Sequence, residues 1–375
     1  MADPCVVNLA RILVNYSTNV QEKDLVAIIG QPPATPLIQE VYREVLRCGG
    51  YPYLLALSFK PFLPGFEGLD QIFFSEANDD QLQHVDPFWK KATEDFDVRI
   101  IIESSYNTRS LSNIDPRRIR LQQQANKSLV ETFMERSASG ALRWVRTIYP
   151  TQAHSQEAEM SLEEFADYMY RTTFSDCDDP IAEWNSIHDE QQRLVDWLKG
   201  KKTIQVKGSE VDLTLSIKER VFINADGKQN MPSGEIFTGP VEDSADGWVR
   251  FSFPAIYMGH EVSGIELRFK HGKVVEASAS KNEPFLRSML DTDTGSRYLG
   301  EFAIGTNKKI DRFIKDILFD EKIGGTIHLA LGAGYPNTGS QNKSAIHWDM
   351  ICDMHNGGQI YVDEELFYES GEFII

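Results

Sequence analysis

Apolar residues in this chain follow one spacing before about residue 200 and another after it. In the first stretch, short apolar runs alternate with helical patterns. In the second, apolar and polar residues alternate one by one. A period near 3.6 belongs to helices and a period of 2 to half-buried strands, so the change separates two architectures. A length of 375 residues accommodates two domains.

The first architecture reads as a parallel α/β domain. The N-terminal stretch is an amphipathic helix with Leu9, Ile12 and Leu13 on one side. Asp24-Leu-Val-Ala-Ile-Ile-Gly30 is a buried-strand run. After Gln31-Pro-Pro33, Thr35 is placed to cap a helix with Pro36 at its first position. Leu37, Ile38, Val41 and Val45 form its stripe and Gly49-Gly50 its end. Residues 51–57, 98–102 and 143–149 are further strands, and one long helix is expected from Asp115-Pro116 toward Arg136. This order predicts a parallel sheet with right-handed crossovers. No GxGxxG follows the first strand and no GxxxxGK[ST] occurs, so no phosphate cradle can be named. The domain is expected to be a scaffold or dimerisation unit.

Two helices follow, one from a capping box at Ser161-Leu-Glu-Glu164 and one from Pro180 to Leu198. Gly200 marks the expected boundary, giving domains 1–200 and 201–375. From Thr203 onward, Val211, Leu213, Leu215 and Ile217 alternate with polar residues, as do residues 248–253 and 265–269. Lys270-His-Gly-Lys273 is a turn, which makes His271 a solvated residue, and residues 282–290 form a short helix. The second domain is expected to be mainly antiparallel β (α+β), within an overall α/β class.

The formal net charge of -18 disfavours nucleic acid as a partner. No run approaches the ~18 apolar residues of a membrane span. The N-terminus lacks the basic and apolar regions of a signal peptide. Cys5, Cys48, Cys177 and Cys352 form no CxxC pair and fit free thiols in a cytoplasmic, reducing compartment.

Chemistry concentrates in the second half. In Gly325-Thr-Ile-His-Leu-Ala-Leu-Gly332, His328 shares a strand face with Thr326 and Ala330. In Ser344-Ala-Ile-His-Trp-Asp-Met350, His347 and Asp349 share a face opposite Trp348. Such a face is either a solvated strand surface or a site for Zn, Co or Mn. Glu235 and Glu301 each follow a glycine and precede apolar residues. Buried there, each carboxylate needs a partner or a metal, and the glycine permits close backbone approach; at a sheet edge they would be ordinary solvated residues. Glu242, Asp243 and Asp246 lie in a polar loop and read as surface. The set Glu235, Glu301, His328, His347 and Asp349 suits two divalent ions better than one structural zinc. Tyr335, on the Gly-rich loop after the His328 strand, is either packed or within reach of the site to steady an oxyanion.

At these residues the sequence resembles the aminopeptidase T family of dinuclear metallo-aminopeptidases, which includes the PepS and AmpS enzymes. The resemblance rests on Gly234-Glu-Ile-Phe-Thr238, Leu299-Gly-Glu-Phe-Ala303, and the block from His328 to Asp349, continuing to Asp353-Met-His-Asn-Gly-Gly358. It implies an enzyme that removes N-terminal residues from peptides with a free N-terminus, and a homodimer enclosing its catalytic chamber. It also implies two metal ions on Glu235, Glu301, His328, His347 and Asp349, with Glu301 as a bridge and Tyr335 near one ion. Gly239 stands where similar sequences more often carry Ala, a difference expected to matter little.

The expected mechanism is attack on the first peptide carbonyl by a metal-bridged hydroxide. Tyr335 would hold the oxyanion and Glu235 would pass the proton to the leaving amine. Two alternatives make different predictions. A metal-independent glycosidase using a carboxylate pair would survive chelation. A non-enzymatic scaffold keeping the fold would tolerate Glu301→Gln and His347→Ala.

Overall fold

The computed structural model describes residues 3–55, 68–257 and 259–375, with Pro116 described by its backbone alone. The expected residues Ala56 and Leu57 of the second strand lie outside the described residues. The chain divides into two compact units, residues 1–184 with 227–232, and residues 185–226 with 233–375. This division differs from one drawn at residue 200. The Pro180–Leu198 helix contains the division point, and a short segment after residue 226 belongs to the first unit.

In the first unit, strands Leu25–Gly30, Tyr51–Leu55, Val98–Glu103 and Arg143–Ile148 pair in parallel, with Leu25–Gly30 between Tyr51–Leu55 and Val98–Glu103. The short strand Asn230–Met231 adds to Arg143–Ile148, also in parallel. The α/β expectation for this half holds. Two local expectations do not. The Thr35–Arg47 helix has Ala34 at its N-cap and no side-chain cap; a short 3₁₀ turn precedes it, and Thr35 Oγ1 donates to Pro32 O at 2.5 Å. The long helix expected after Pro116 is two, Pro116–Ala125 and Lys127–Ala138, broken at Asn126. Asn126 turns its side chain back to Gln122 O at 2.9 Å, the local competition that makes Asn a poor interior residue. The N-terminal helix Pro4–Arg11 continues as a π-helical turn, Ile12–Ser17.

The second unit has two large antiparallel sheets. One has eight strands and includes Thr203–Lys207, Val211–Ser216, Asp246–Arg250 and Glu266–Lys270. The other has five, in the order His347–Asp353, Thr326–Gly332, Leu299–Gly305, Glu235–Thr238 and Ile223–Ala225. Leu213, Val249 and Leu267 from the first sheet share one core with Phe302, Ile304, Ile327, Leu329, Trp348 and Met350 from the second. Burial of that apolar face sets the orientation of the opposite face, because neighbouring side chains on a strand point to opposite sides. His271 is solvated, with its side chain 80% exposed. Among the described residues no helix is long and apolar enough to cross a membrane.

Candidate metal centre

The five-stranded sheet presents its second face to the candidate site. Ala330 pairs with Asp349 on one side and Glu301 on the other, and Ala303 pairs with both His328 and Phe237. Glu235, Glu301, His328, His347 and Asp349 therefore share one face, with the small Ala303 and Ala330 between them. Trp348 is buried on the other side, 1% exposed.

Two glycines explain how the carboxylates reach this face. The ladder slips between Leu299 and Glu301, leaving Gly300 as the extra residue of a bulge. Without the slip, Leu299 and Glu301 would point the same way. A Cβ at Gly300 would lie 2.3 Å from Ala333 O, so no larger residue fits there. Gly234, before the other glutamate, has φ +120, and a Cβ there would lie 2.7 Å from Asn307 Cβ. Glu235 and Glu301 are 5% and 4% exposed, which removes the solvated edge-strand reading.

The groups converge closely. His328 Nε2 lies 3.2 Å from Glu301 Oε1 and 3.5 Å from Glu235 Oε2. His347 Nε2 lies 3.5 Å from Asp349 Oδ1 and 3.7 Å from Glu301 Oε2. Its Nδ1 is 2.7 Å from Ala333 O, a contact that needs the proton on Nδ1 and leaves Nε2 directed at the carboxylates. Ligating atoms of Glu235, Glu301 and His328 lie within 4.8 Å of one another, as do those of Glu321, His328 and Asp349. Tyr335 meets Phe237 at 5.5 Å and His347 at 5.2 Å between ring centroids.

Two residues here escaped the sequence reading. Glu321 supplies a fourth carboxylate. Lys322 is wholly buried, with Nζ 3.7 Å from Glu235 Oε1 and in contact with Glu321. Asp320-Glu-Lys322 resembles any charged loop in sequence, and no periodicity marks it. Glu242 also differs from its expected surface role. It pairs with Arg220 at 2.7 Å and accepts from Gln341 N at 2.6 Å, anchoring the loop that follows Tyr335.

The charges of the metal-free cluster constrain one another. Burial pushes Glu235 up to about 8, opposed by the Lys322 and His328 charges and reinforced by Glu321 and Glu301. Burial lowers His328, but its hydrogen bond to Glu301 and the surrounding carboxylates outweigh it and hold it at about 9. Burial also lowers His347, and the charge of the adjacent Asp349 carboxylate raises it to about 10. Asp349 is raised by burial, yet His347 brings it down to about 2. The Tyr335 hydroxyl is pushed well up by burial and by four carboxylates, although 41% of the residue is exposed.

The donor set fits divalent ions. Glu235 Oε2, Glu301 Oε2, Asp349 Oδ1 and His328 Nδ1 are buried without hydrogen-bond partners. Each of the three carboxylate oxygens has only an imidazole Nε2 at 3.5–3.7 Å and no hydrogen bond, and buried anionic oxygens so sparsely paired on one face favour a further cation. Mixed oxygen and imidazole ligation suits Zn, Co or Mn. Two surface hollows, at Glu210, Ser252 and Asp353 and at Glu40, Arg43 and Tyr170, hold no comparable grouping among the described residues.

Comparison with known proteins gives this geometry a context. Aminopeptidase 2 of Geobacillus stearothermophilus is 27% identical, covering 94% of this chain and 89% of its own length. Aminopeptidase T of Thermus thermophilus is 26% identical over 73% of each chain. The structure of wild-type AmpT from Thermus thermophilus superposes with a TM-score of 0.85 at 20% identity, covering 99% of both chains. A 2,5-dihydroxypyridine dioxygenase from Pseudomonas putida KT2440 superposes with a TM-score of 0.58 at 15% identity, covering 98% of this chain and 96% of its own. A fold that also carries a dioxygenase does not specify peptide chemistry, which has to be argued from the ligand set. The thermophilic metalloprotease (M29) family matches residues 3–373, and the chain therefore belongs to that family of metal-dependent peptide-bond hydrolases.

Proposed function

We propose that the protein is a metallo-aminopeptidase that removes N-terminal residues from peptides. Two divalent ions, Zn, Co or Mn, would be held by Glu235, Glu301, His328, His347 and Asp349, with Glu321 adding a carboxylate beside His328. The observation that carries this reading is the convergence on one sheet face of two imidazoles with three buried carboxylate oxygens that make no hydrogen bond. When bound, ions of this kind supply hydroxide at neutral pH and polarise the scissile carbonyl.

The chain's own side chains account for the other roles. Tyr335 stands beside His347 on an exposed loop and donates its hydroxyl to the developing oxyanion. Glu235, which burial pushes up to about 8, carries a proton toward the leaving amine. Phe237 and Tyr335 form an aromatic wall for an apolar first residue. The substrate's free ammonium is matched by an acidic face on which Glu321 is partly accessible. The free thiols support a cytoplasmic setting, and the dimer implied by the resemblance belongs to the same proposal.

The test is removal of metal followed by add-back, with an aminoacyl chromogenic amide as substrate. Activity should vanish with chelator and return with Co, Zn or Mn. Cleavage that persists in chelator, or that is equally fast on an N-acetylated substrate, would defeat the proposal.

A further inference from the structure

Lys322 is the one charged group of the centre for which the reaction has no evident use. A fully buried lysine is rare unless paired, and this one is 0% exposed. Its ammonium reaches Glu235 Oε1 at 3.7 Å and touches Glu321. Glu235 belongs to one ligating group and Glu321 to the other, so Lys322 sits where the two groups meet. Its backbone is held at both ends. Lys322 N donates to Phe319 O at 2.9 Å, and Lys322 O accepts from Asn307 N at 3.2 Å. The next carbonyl, Ile323 O, lies against Gly305, where an added Cβ would come within 2.2 Å. The buried Asp320 carboxylate, which accepts from Ile314 N at 2.7 Å, fixes the turn that carries the lysine. With its backbone pinned and its charge paired twice, the ammonium has no other place to go.

We infer that Lys322 is a fixed cation built into the acidic face, and that it limits how tightly the weaker of the two divalent ions is held. The inference rests on the metal reading of the centre and assigns the lysine a positioning role. Four carboxylates, Glu235, Glu301, Glu321 and Asp349, face two imidazoles and this one ammonium. With two divalent ions and one hydroxide bound, the four carboxylates and the hydroxide would offset the ions and the ammonium, leaving the loaded centre neutral. Removing the ammonium leaves one net negative charge in a poorly solvated place, where like charges repel and cations are attracted strongly. The lysine therefore holds Glu235 and Glu321 together in the metal-free protein and competes with an incoming ion for their oxygens.

The experiment titrates metal-stripped wild type, Lys322→Gln and Lys322→Arg with Mn²⁺ by calorimetry at one pH, and records thermal midpoints with and without the ion. Lys322→Gln should bind the weaker ion at least tenfold more tightly than wild type, and its midpoint should rise further on adding Mn²⁺. Lys322→Arg keeps the charge and should behave as wild type. A Lys322→Gln protein that folds and binds both ions with wild-type or weaker affinity overturns the inference. If it folds only when Mn²⁺ is added, an external cation has replaced the missing one and the inference stands. Failure to fold even with Mn²⁺ shows that the ammonium serves packing alone. Absence of Mn²⁺ binding by all three proteins, with Zn²⁺ and Co²⁺ also failing on wild type, overturns the metal reading itself, a result distinct from unchanged affinity.

Discussion

Ala330 stands directly across the ladder from Asp349, its methyl group filling the row between two carboxylate-bearing strands. Its other neighbour is Glu301, so this small side chain keeps space open where the carboxylates and imidazoles converge. Ala330→Leu should fill that space. The expected result is a metal content after dialysis below one ion per chain. The cost to the metal-free fold should be about 1–3 kcal/mol from overpacking, read from the denaturant midpoint. Unchanged metal content would show that the ions sit elsewhere.

Glu301 contacts both imidazoles, His328 at 3.2 Å and His347 at 3.7 Å. Glu301→Gln keeps its shape and removes its charge. Activity should fall on the order of 10³-fold, since several kcal/mol of metal-dependent stabilisation are lost at 1.36 kcal/mol per decade. Circular dichroism should be unchanged. Wild-type turnover from this variant would favour a scaffold role for the whole site.

Metal binding and stability should depend on pH in opposite ways. In the metal-free protein His328 and His347 lie at about 9 and about 10 against an ordinary 6.5. Their contribution is complete below 6.5 and is lost as pH rises through those values. Glu235, at about 8 against 4.5, also costs stability as pH rises across that interval. Asp349, at about 2 against 3.8, contributes above 3.8 and is lost as pH falls toward 2. Thermal midpoints of metal-free protein should therefore decline from about pH 5 to pH 9. Ligation requires unprotonated imidazoles, so stabilisation by added ion should grow over the same range, with proton release seen calorimetrically. A metal-induced shift that is flat in pH would contradict this picture.

Tyr335→Phe preserves the ring contacts to Phe237 and His347 and deletes only the hydroxyl. Loss of an oxyanion donor predicts a fall in kcat of about 10²-fold with KM little changed. Stability should stay within about 0.5 kcal/mol, because the ring contacts are kept and 41% of the residue is open to solvent. An equal rise in KM with kcat unchanged would assign the tyrosine to substrate binding.

Gly239 corrects an expectation of tolerance. A Cβ there would lie 2.5 Å from Ser340 Cβ and 2.8 Å from Thr338 Oγ1. Gly239→Ala should destabilise by about 1–3 kcal/mol through overpacking. It should also loosen the loop after Tyr335, lowering kcat at temperatures where the fold is intact. A denaturant midpoint equal to that of wild type would show that Ser340 yields freely.

Strand alternation alone determined the sidedness of His347, Trp348 and Asp349, and the Ser161 capping box, the Pro180–Leu198 helix and the His271 turn were legible for the same reason. These features depend on residues a few positions apart, where period and capping act locally. Residues 116–138 were less legible, because the break at Asn126 depends on one side chain choosing its own backbone over the helix. The tertiary structure alone decided that Glu235, Glu301 and His328 meet, since strand register and the Gly300 bulge are set by pairing between distant segments. It alone decided that Lys322 is buried beside Glu235, across 87 positions of sequence. A charged loop residue carries no periodic mark of burial; only the packing around it takes it out of water and makes its charge part of the centre.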